Sequence, residues 1–285
     1  MKLTVFTPTY NRKELLKRAY ESLCAQTCRD FVWLIVDDGS EDGTGDVVKK
    51  WMEESDFPIR YAAFPNGGKM RAHNRGVELC ETDWFVCLDS DDVLARDAVE
   101  LIYSCREETK DKGVAGIVAH KGRNERETLY GKDFPEEGYS TLYGLYLKGF
   151  RGETTLVFKT EVLRAFPFPE IEGEKYVPED YIYDKIDAKY TLFILPKILT
   201  VCELVSSGYT DSVKALKRDN PNAWYLYYRQ RAGITPLRLL KWKYLGYYIL
   251  YAKRCQKPVF RGGLNAFLVL TGYPFSWMIK WTGRD

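Results

Sequence analysis

Short apolar runs alternate with helical patterns over roughly the first third of the chain. Residues 3–7, 31–36, 59–63 and 84–88 are rich in β-branched, aromatic and other apolar side chains and too short for helices, the signature of strands. Between them, Leu15, Leu16, Ala19, Tyr20 and Leu23 share one helical face, and Val47, Val48 and Trp51 share another within 45–54. A third helix is predicted over 69–80, and Asn11 with Glu14 has the spacing of a capping box for the first. Strands that are apolar almost throughout, separated by helices, predict an α/β fold with a mostly parallel sheet covered on both faces.

The pattern loosens after residue 110. Residues 114–119, 154–158 and 192–201 read as strands among Gly- and Pro-rich loops, and a helix is predicted to start at Pro178. From 213 onward the chain reads as helical, aromatic and basic, which divides it into an α/β domain over 1–212 and a helical region over 213–285. Leu240, Tyr244, Tyr247 and Tyr251 form one helical stripe, expected to pack on the α/β domain. There is no internal repeat and no low-complexity segment.

Composition narrows the classes. With 285 residues, 45% hydrophobic and 29% charged, the chain is neither disordered nor collagen-like nor a disulfide miniprotein. Seven cysteines without a CxxC pair suit a reducing compartment, and Cys24 and Cys28 are expected to pack rather than bond. Only His73 and His120 are present, so any metal is expected on carboxylates. The apolar run after Met1-Lys2 is too short for a secretory leader. The longest apolar stretch, 264–279, is interrupted by Gly272 and Pro274 and falls short of the roughly 20 residues a spanning helix needs. A cytoplasmic protein is expected.

Charge adds an asymmetry that the net value of +2 conceals. Residues 214–285 carry 14 Lys and Arg against 2 Asp and Glu, a net of +12, while 1–213 carries a net of −10. Residues 221–285 also hold 15 aromatics. Basic charge beside Trp and Tyr is the composition of a segment at an anionic membrane surface. Nucleic acid would use the same ingredients, but the acidic body would repel a polyanion. The expected partner is the inner membrane surface.

Chemistry concentrates at the ends of the predicted strands, where open α/β sheets bind ligands. The clusters are Thr7-Pro8-Thr9-Tyr10-Asn11, Asp37-Asp38-Gly39-Ser40 and Asp89-Ser90-Asp91-Asp92. Singly, each reads as an ordinary turn or cap. Three carboxylates within 89–92 would repel one another, and a hard cation is the simple remedy. Mg2+ or Mn2+ held by a few carboxylates takes its remaining ligands from a diphosphate. Asn66-Gly67-Gly68-Lys69-Met70-Arg71 fits that ligand, with backbone able to approach closely and two cations near a helix start. Taken alone, it reads better as a glycine turn before a helix with two solvated cations; beside the acidic cluster, the phosphate reading is the better one.

The order and spacing of Thr7-Pro8-Thr9-Tyr10-Asn11-Arg12, Val36-Asp37-Asp38-Gly39-Ser40, Asn66-Gly67-Gly68-Lys69 with Ala72-His73-Asn74, and Leu88-Asp89-Ser90-Asp91-Asp92 resemble family 2 glycosyltransferases over about residues 1–205. The resemblance implies a GT-A fold, a nucleotide-diphosphate sugar donor, a divalent metal and inversion at the anomeric carbon. By position, Pro8, Tyr10 and Asp38 resemble residues that hold the nucleobase, usually uracil, with Asp37 beside them. Lys69 and Arg71 match the stretch near the diphosphate. Asp89 and Asp91 match the DxD pattern: Asp91 is the expected metal ligand, Asp89 lies nearer the ribose or the metal, and Asp92 shares the metal. The family's general base sits on an acidic pair opening a later helix, which places it at Asp180 with Glu179 in reserve. The competing reading is that these acids complement the helix dipole, with Asp184 and Asp187 continuing a solvated face. His73 is expected to face the core or the site rather than act as base.

The implied reaction moves a hexose or N-acetylhexosamine from a UDP-sugar to a saccharide, polyprenyl-diphosphate-linked, in capsule, cell-wall or exopolysaccharide assembly. Two competitors belong to other classes. A sugar nucleotidyltransferase would need an N-terminal glycine-rich triphosphate loop, which is missing. The other is a non-catalytic membrane-docking protein with a nucleotide pocket. The loop over 202–210 reads equally as a hinge or a connector and stays outside the predicted site.

Overall fold

Alternation within each apolar run decides which face of the sheet a side chain serves. A computed structural model describes residues 3–202, 213–236, 239–261 and 264–282. Its first part runs β1 (Leu3–Thr9), α1 (Lys13–Cys24), β2 (Phe31–Asp37), α2 (Thr44–Glu54), β3 (Ile59–Ala63), α3 (Lys69–Leu79) and β4 (Trp84–Cys87). Leu3 and Val5 of β1, Trp33 and Ile35 of β2, and Trp84 and Val86 of β4 enter one core with α1 and α2. Phe6, Leu34, Val36 and Phe85 enter a second core with Ala72 and Val77 of α3. Both faces are covered, which is why these strands lack polar alternation in the sequence.

The second part adds β5 (Asp92–Leu94), α4 (Ala98–Ser104), β6 (Val114–Gly122), β7 (Tyr139–Ser140), α5 (Leu142–Leu147), β8 (Thr154–Lys159), α6 (Thr160–Ala165), α7 (Asp180–Asp187) and β9 (Thr191–Cys202). Among the described residues the sheet has nine strands in the order β3-β2-β1-β4-β8-β6-β9-β5, with β7 beside β9. β3, β2, β1 and β4 are mutually parallel, and β6 and β9 share their direction. β8, β5 and β7 run the other way. The sheet is therefore mixed, as expected: six of the nine described strands point one way, although the pairings divide into four parallel and four antiparallel. Elements as short as β5, α5 and α6 have too few residues to display a period, so the sequence left them unmarked.

The chain divides into two units, Met1–Pro167 with Ile182–Val205, and Phe168–Tyr181 with Ser206–Asp285. The second contains α8 (Val213–Asp219), α9 (Pro221–Ile234), α10 (Leu239–Arg254), a 3-10 turn (Val259–Arg261) and α11 (Ala266–Trp281). Helix-end hydrogen bonding explains why 168–181 joins it. Glu174 accepts from Asn222 N and Ala223 N at the start of α9, both at 2.8 Å, and Asn220 Oδ1 accepts from Lys175 N at 2.8 Å. The N–H groups of Asn222 and Ala223, in the first turn of α9, have no partner inside that helix.

The core of the second unit is built largely of tyrosine. Tyr228 of α9 stacks on Tyr247 of α10 with ring centroids 4.6 Å apart and also meets Tyr251, so the predicted stripe finds its partner inside its own unit. α11 runs straight through Gly272 and Pro274, the two residues that interrupt the apolar stretch in the sequence. Gly272 is a packing residue: a Cβ there would lie 2.8 Å from Leu245 Cβ, and one at Gly246 would lie 2.9 Å from Phe275 Cβ. The two glycines let α10 and α11 approach closely.

Candidate active site

Parallel register brings the ends of β1, β2 and β4 side by side. Thr9 pairs with Asp37, Asp38 N donates to Thr9 O at 2.8 Å, and Leu88 N donates to Phe6 O at 2.8 Å. Asn11 does not cap α1. It adopts φ 50°, donates its N–H to Ser40 Oγ at 2.8 Å and accepts from Glu41 N at 2.8 Å, stitching the first two loops together. A side chain that already bonds a neighbouring loop has no oxygen left for the capping box.

The two aspartates after β2 are buried and shape the loops. Asp37 accepts from Ser40 N and from the Tyr61 hydroxyl, both at 2.7 Å. Burial and that bond hold the Tyr61 hydroxyl well above its ordinary value. Asp38 accepts from Gly67 N at 2.7 Å, Gly68 N at 2.8 Å and Asn66 Nδ2 at 3.0 Å. Gly68 takes φ +96°, a conformation side chains disfavour, and so turns the chain directly into α3 at Lys69. Pro8 is buried in β1, and Tyr10 just beyond it is 48% exposed.

Each carboxylate of the 89–92 cluster meets a cation from another segment. Lys69 Nζ lies 2.7 Å from Asp89, Arg12 Nη1 lies 3.1 Å from Asp91, and Lys121 Nζ lies 2.8 Å from Asp92 and 3.8 Å from Asp89. The repulsion inferred from sequence is thus relieved by protein charges. Burial works to raise the Asp89 carboxyl, but Lys69 and Lys121 overrule it and hold it well below the ordinary carboxylate range. Burial likewise opposes the Lys121 ammonium, and Asp89 and Asp92 raise it far above its usual value. One ammonium shared by two carboxylates leaves the charge on Asp89, while burial pushes Asp92 up despite Lys121. Arg71 donates to Gly67 O at 3.1 Å, along the same turn as Lys69.

The sequence named Lys69 but assigned no role to Arg12 or Lys121. Arg12 closes the first quoted motif, and Lys121 is a charge near the end of β6, a strand that is apolar as far as Ala119. That oddity was the available signal.

Carboxylate oxygens suit Mg2+ or Mn2+. Asp89 and Asp91 keep 28% and 22% of their side-chain surface, whereas Asp92 keeps 8% beneath Lys121. Among the described residues no three His, Cys, Asp or Glu side chains converge as a metal cage. Two accessible carboxylates fit a cation that takes its other ligands from diphosphate and water.

Glu179 and Asp180 belong to the second unit. Asp180 accepts from buried Arg231, with Nη2 at 2.9 Å, and from the Tyr227 hydroxyl at 3.5 Å. The surrounding protein pushes its carboxyl upward, Arg231 pulls it back and Glu179 adds to the rise. With 45% of the side chain still exposed, the Arg231 contact is the firmer feature. The solvated face predicted beyond it does not form: Asp184 is buried, and Asp187 accepts from Leu142 N at 3.1 Å and Tyr143 N at 2.7 Å. His73 is a core residue, edge-on to Phe6 and Phe85. The 202–210 loop lies outside the described residues from 203 onward.

The mixed sheet with helices on both faces is a GT-A α/β fold. Residues 4–168 match the model of glycosyl transferase family 2, and the chain belongs to that family. A Campylobacter jejuni protein, GalNAc(5)-diNAcBac-PP-undecaprenol beta-1,3-glucosyltransferase, is 28% identical over 174 residues, covering 59% of this chain and 55% of its own. This chain spans only 14% and 12% of the length of two other curated relatives. The crystal structure of S. aureus TarS in complex with UDP-GlcNAc is similar at TM-score 0.63 and 18% identity, covering 89% of this chain and 73% of that one. The mannosyltransferase PcManGT from Pyrobaculum calidifontis, in complex with GDP-Man and Mn2+, is similar at TM-score 0.54 and 20% identity, covering 98% and 75%. At these identities the structural likeness establishes the fold.

Proposed function

We propose that this chain is an inverting glycosyltransferase that moves a hexose or N-acetylhexosamine from a UDP-sugar to a saccharide acceptor linked to a polyprenyl diphosphate. The observation that carries the reading is the accessible pair Asp89 and Asp91, set among Lys69 and Arg12 at the strand ends. A UDP-GlcNAc complex of TarS and the undecaprenol-PP acceptor in the name of the Campylobacter relative support the donor and acceptor classes. The proposed setting is capsule, cell-wall or exopolysaccharide assembly, with the chain peripheral on the inner membrane face.

Pro8 and Tyr10 border the nucleobase. Asp38 acts there through the Asn66–Gly68 turn that it braces, and Asp37 holds Ser40 and Tyr61 in place beside it. Lys69 and Arg71 would face the diphosphate, and Asp89 and Asp91 would hold the cation, with Asp92 sharing it. A divalent cation, when bound, would stabilise the charge that builds on the departing diphosphate. Lys69 and Arg71 supply fixed positive charge to the same end. Asp180 takes the proton of the acceptor hydroxyl as its oxygen attacks the anomeric carbon and the bond to diphosphate breaks. One displacement inverts the centre, and Glu179 supports Asp180 electrostatically.

The test is to incubate the chain with UDP-glucose or UDP-GlcNAc, Mn2+ and an undecaprenyl-diphosphate-linked saccharide, then determine the anomeric configuration of the product. The expected product has the configuration opposite to the donor. Retention, or release of pyrophosphate from UTP and a sugar phosphate instead, would overturn the reading.

A further inference from the structure

The second unit carries a basic cleft that the catalytic reading does not use. Between α10 and α11 lies a space of about 540 Å3 lined in part by Lys253, Arg254, Lys280, Tyr273 and Trp277. Residues 220–284 contain no Asp or Glu, so α9, α10 and α11 offer these cations no carboxylate of their own. Aromatic faces hold two of them instead: Lys253 Nζ lies 4.8 Å from the Tyr273 ring centre, and the Arg254 guanidinium lies 5.8 Å from that of Tyr251. Such contacts position a cation without neutralising it. Three concentrated positive charges beside aromatic walls fit a phosphate group.

Next to the cleft, α11 is apolar on two opposite sides. Val269, Gly272 and Ile279 are buried, and Gly272 meets Leu245 and Ile249 of α10. Away from that side, Phe267 is 73%, Leu270 56%, Trp277 73%, Met278 48% and Trp281 79% exposed. With 3.6 residues to a turn these five, together with exposed Pro274, fall within a sector about 100° wide. A continuous apolar face of this kind marks a docking surface. Trp277 belongs both to this face and to the cleft.

Charge and composition choose the occupant. A second copy seated on the stripe would bring Lys253, Arg254 and Lys280 toward their own equivalents, which opposes pairing. A bilayer containing acidic lipid supplies both missing halves, phosphate for the cleft and an apolar zone for the stripe. Tryptophan suits the boundary between the two. No described helix is long and apolar enough to cross a membrane, so α11 would lie along the surface.

We propose that α11 seats its exposed stripe in the surface of an anionic phospholipid bilayer, with lipid phosphate held by Lys253, Arg254 and Lys280 in the adjoining cleft. This rests on the peripheral-membrane part of the function proposed above and is independent of its catalytic part.

The test is co-sedimentation of the full chain with phosphatidylcholine vesicles, with and without phosphatidylglycerol, followed by tryptophan quenching with brominated lipid. Wild type is expected to bind only the anionic vesicles, with its tryptophans quenched. The triple variant Lys253→Ala, Arg254→Ala, Lys280→Ala should bind them roughly a hundredfold more weakly. The double variant Trp277→Ser, Trp281→Ser should lose both binding and most quenching. The proposal fails if wild type ignores anionic vesicles, if either variant binds as wild type does, or if sedimentation velocity shows a dimer that the tryptophan variant abolishes. UDP binding in the same preparations reports on the transferase reading separately, because none of these residues belongs to the donor site.

Discussion

Asp180→Asn is expected to lower kcat by about a hundredfold to ten-thousandfold while leaving UDP binding intact. A positioned general base contributes on that scale, and the amide cannot accept the acceptor's proton. Glu179→Gln should cost much less, because the proton transfer is placed on Asp180, which is held 2.9 Å from Arg231. The amide also no longer neutralises a buried guanidinium, so the thermal midpoint must be read alongside the rate. A variant that stays folded, binds UDP and fails in transfer fits the base role. Full activity in Asp180→Asn with loss in Glu179→Gln would move that role to Glu179.

Lys121→Met carries the largest expected effect on stability. It removes the ammonium 2.8 Å from Asp92 and 3.8 Å from Asp89 while keeping much of the side-chain volume. Breaking a buried ion pair from one side costs about 3–5 kcal/mol, because the remaining charge stays behind without compensation. The readout is a fall in Tm of roughly 10 °C by calorimetry. Adding Asp92→Asn to Lys121→Met should recover a large part of that loss, since the amide leaves no buried charge to stabilise. An unchanged Tm in the single variant would show that solvent, rather than Lys121, compensates the cluster.

What could be read from the sequence divides by distance along the chain. β1 to β4 and α1 to α3 were legible because each carries its own period or apolar run. Asp89, Asp91 and Asp92 were legible because their crowding is local. The cations beside them were not: Arg12 arrives from the start of α1, and Lys121 from β6, which neighbours β4 only through β8. Sequence order contains no trace of that adjacency. Asn11 shows the opposite error, a local capping signal overruled by a bond to the loop at 40–41. In the same way, the acids at 184 and 187 suggest a wet helix face, yet Asp187 is spent on the first turn of α5. A polar residue's role is set by the segment it meets, and only the fold supplies that segment.

The most direct test of the central claim is calorimetric titration of UDP, with and without Mn2+, into wild type and Asp91→Asn. UDP should bind wild type more tightly with Mn2+, and the substitution should remove most of that gain. GDP, dTDP and CMP, titrated in parallel, should bind more weakly. If none of the four nucleotides bound the folded protein under either condition, the strand-end carboxylates would have no donor to serve, and the transferase account would be contradicted.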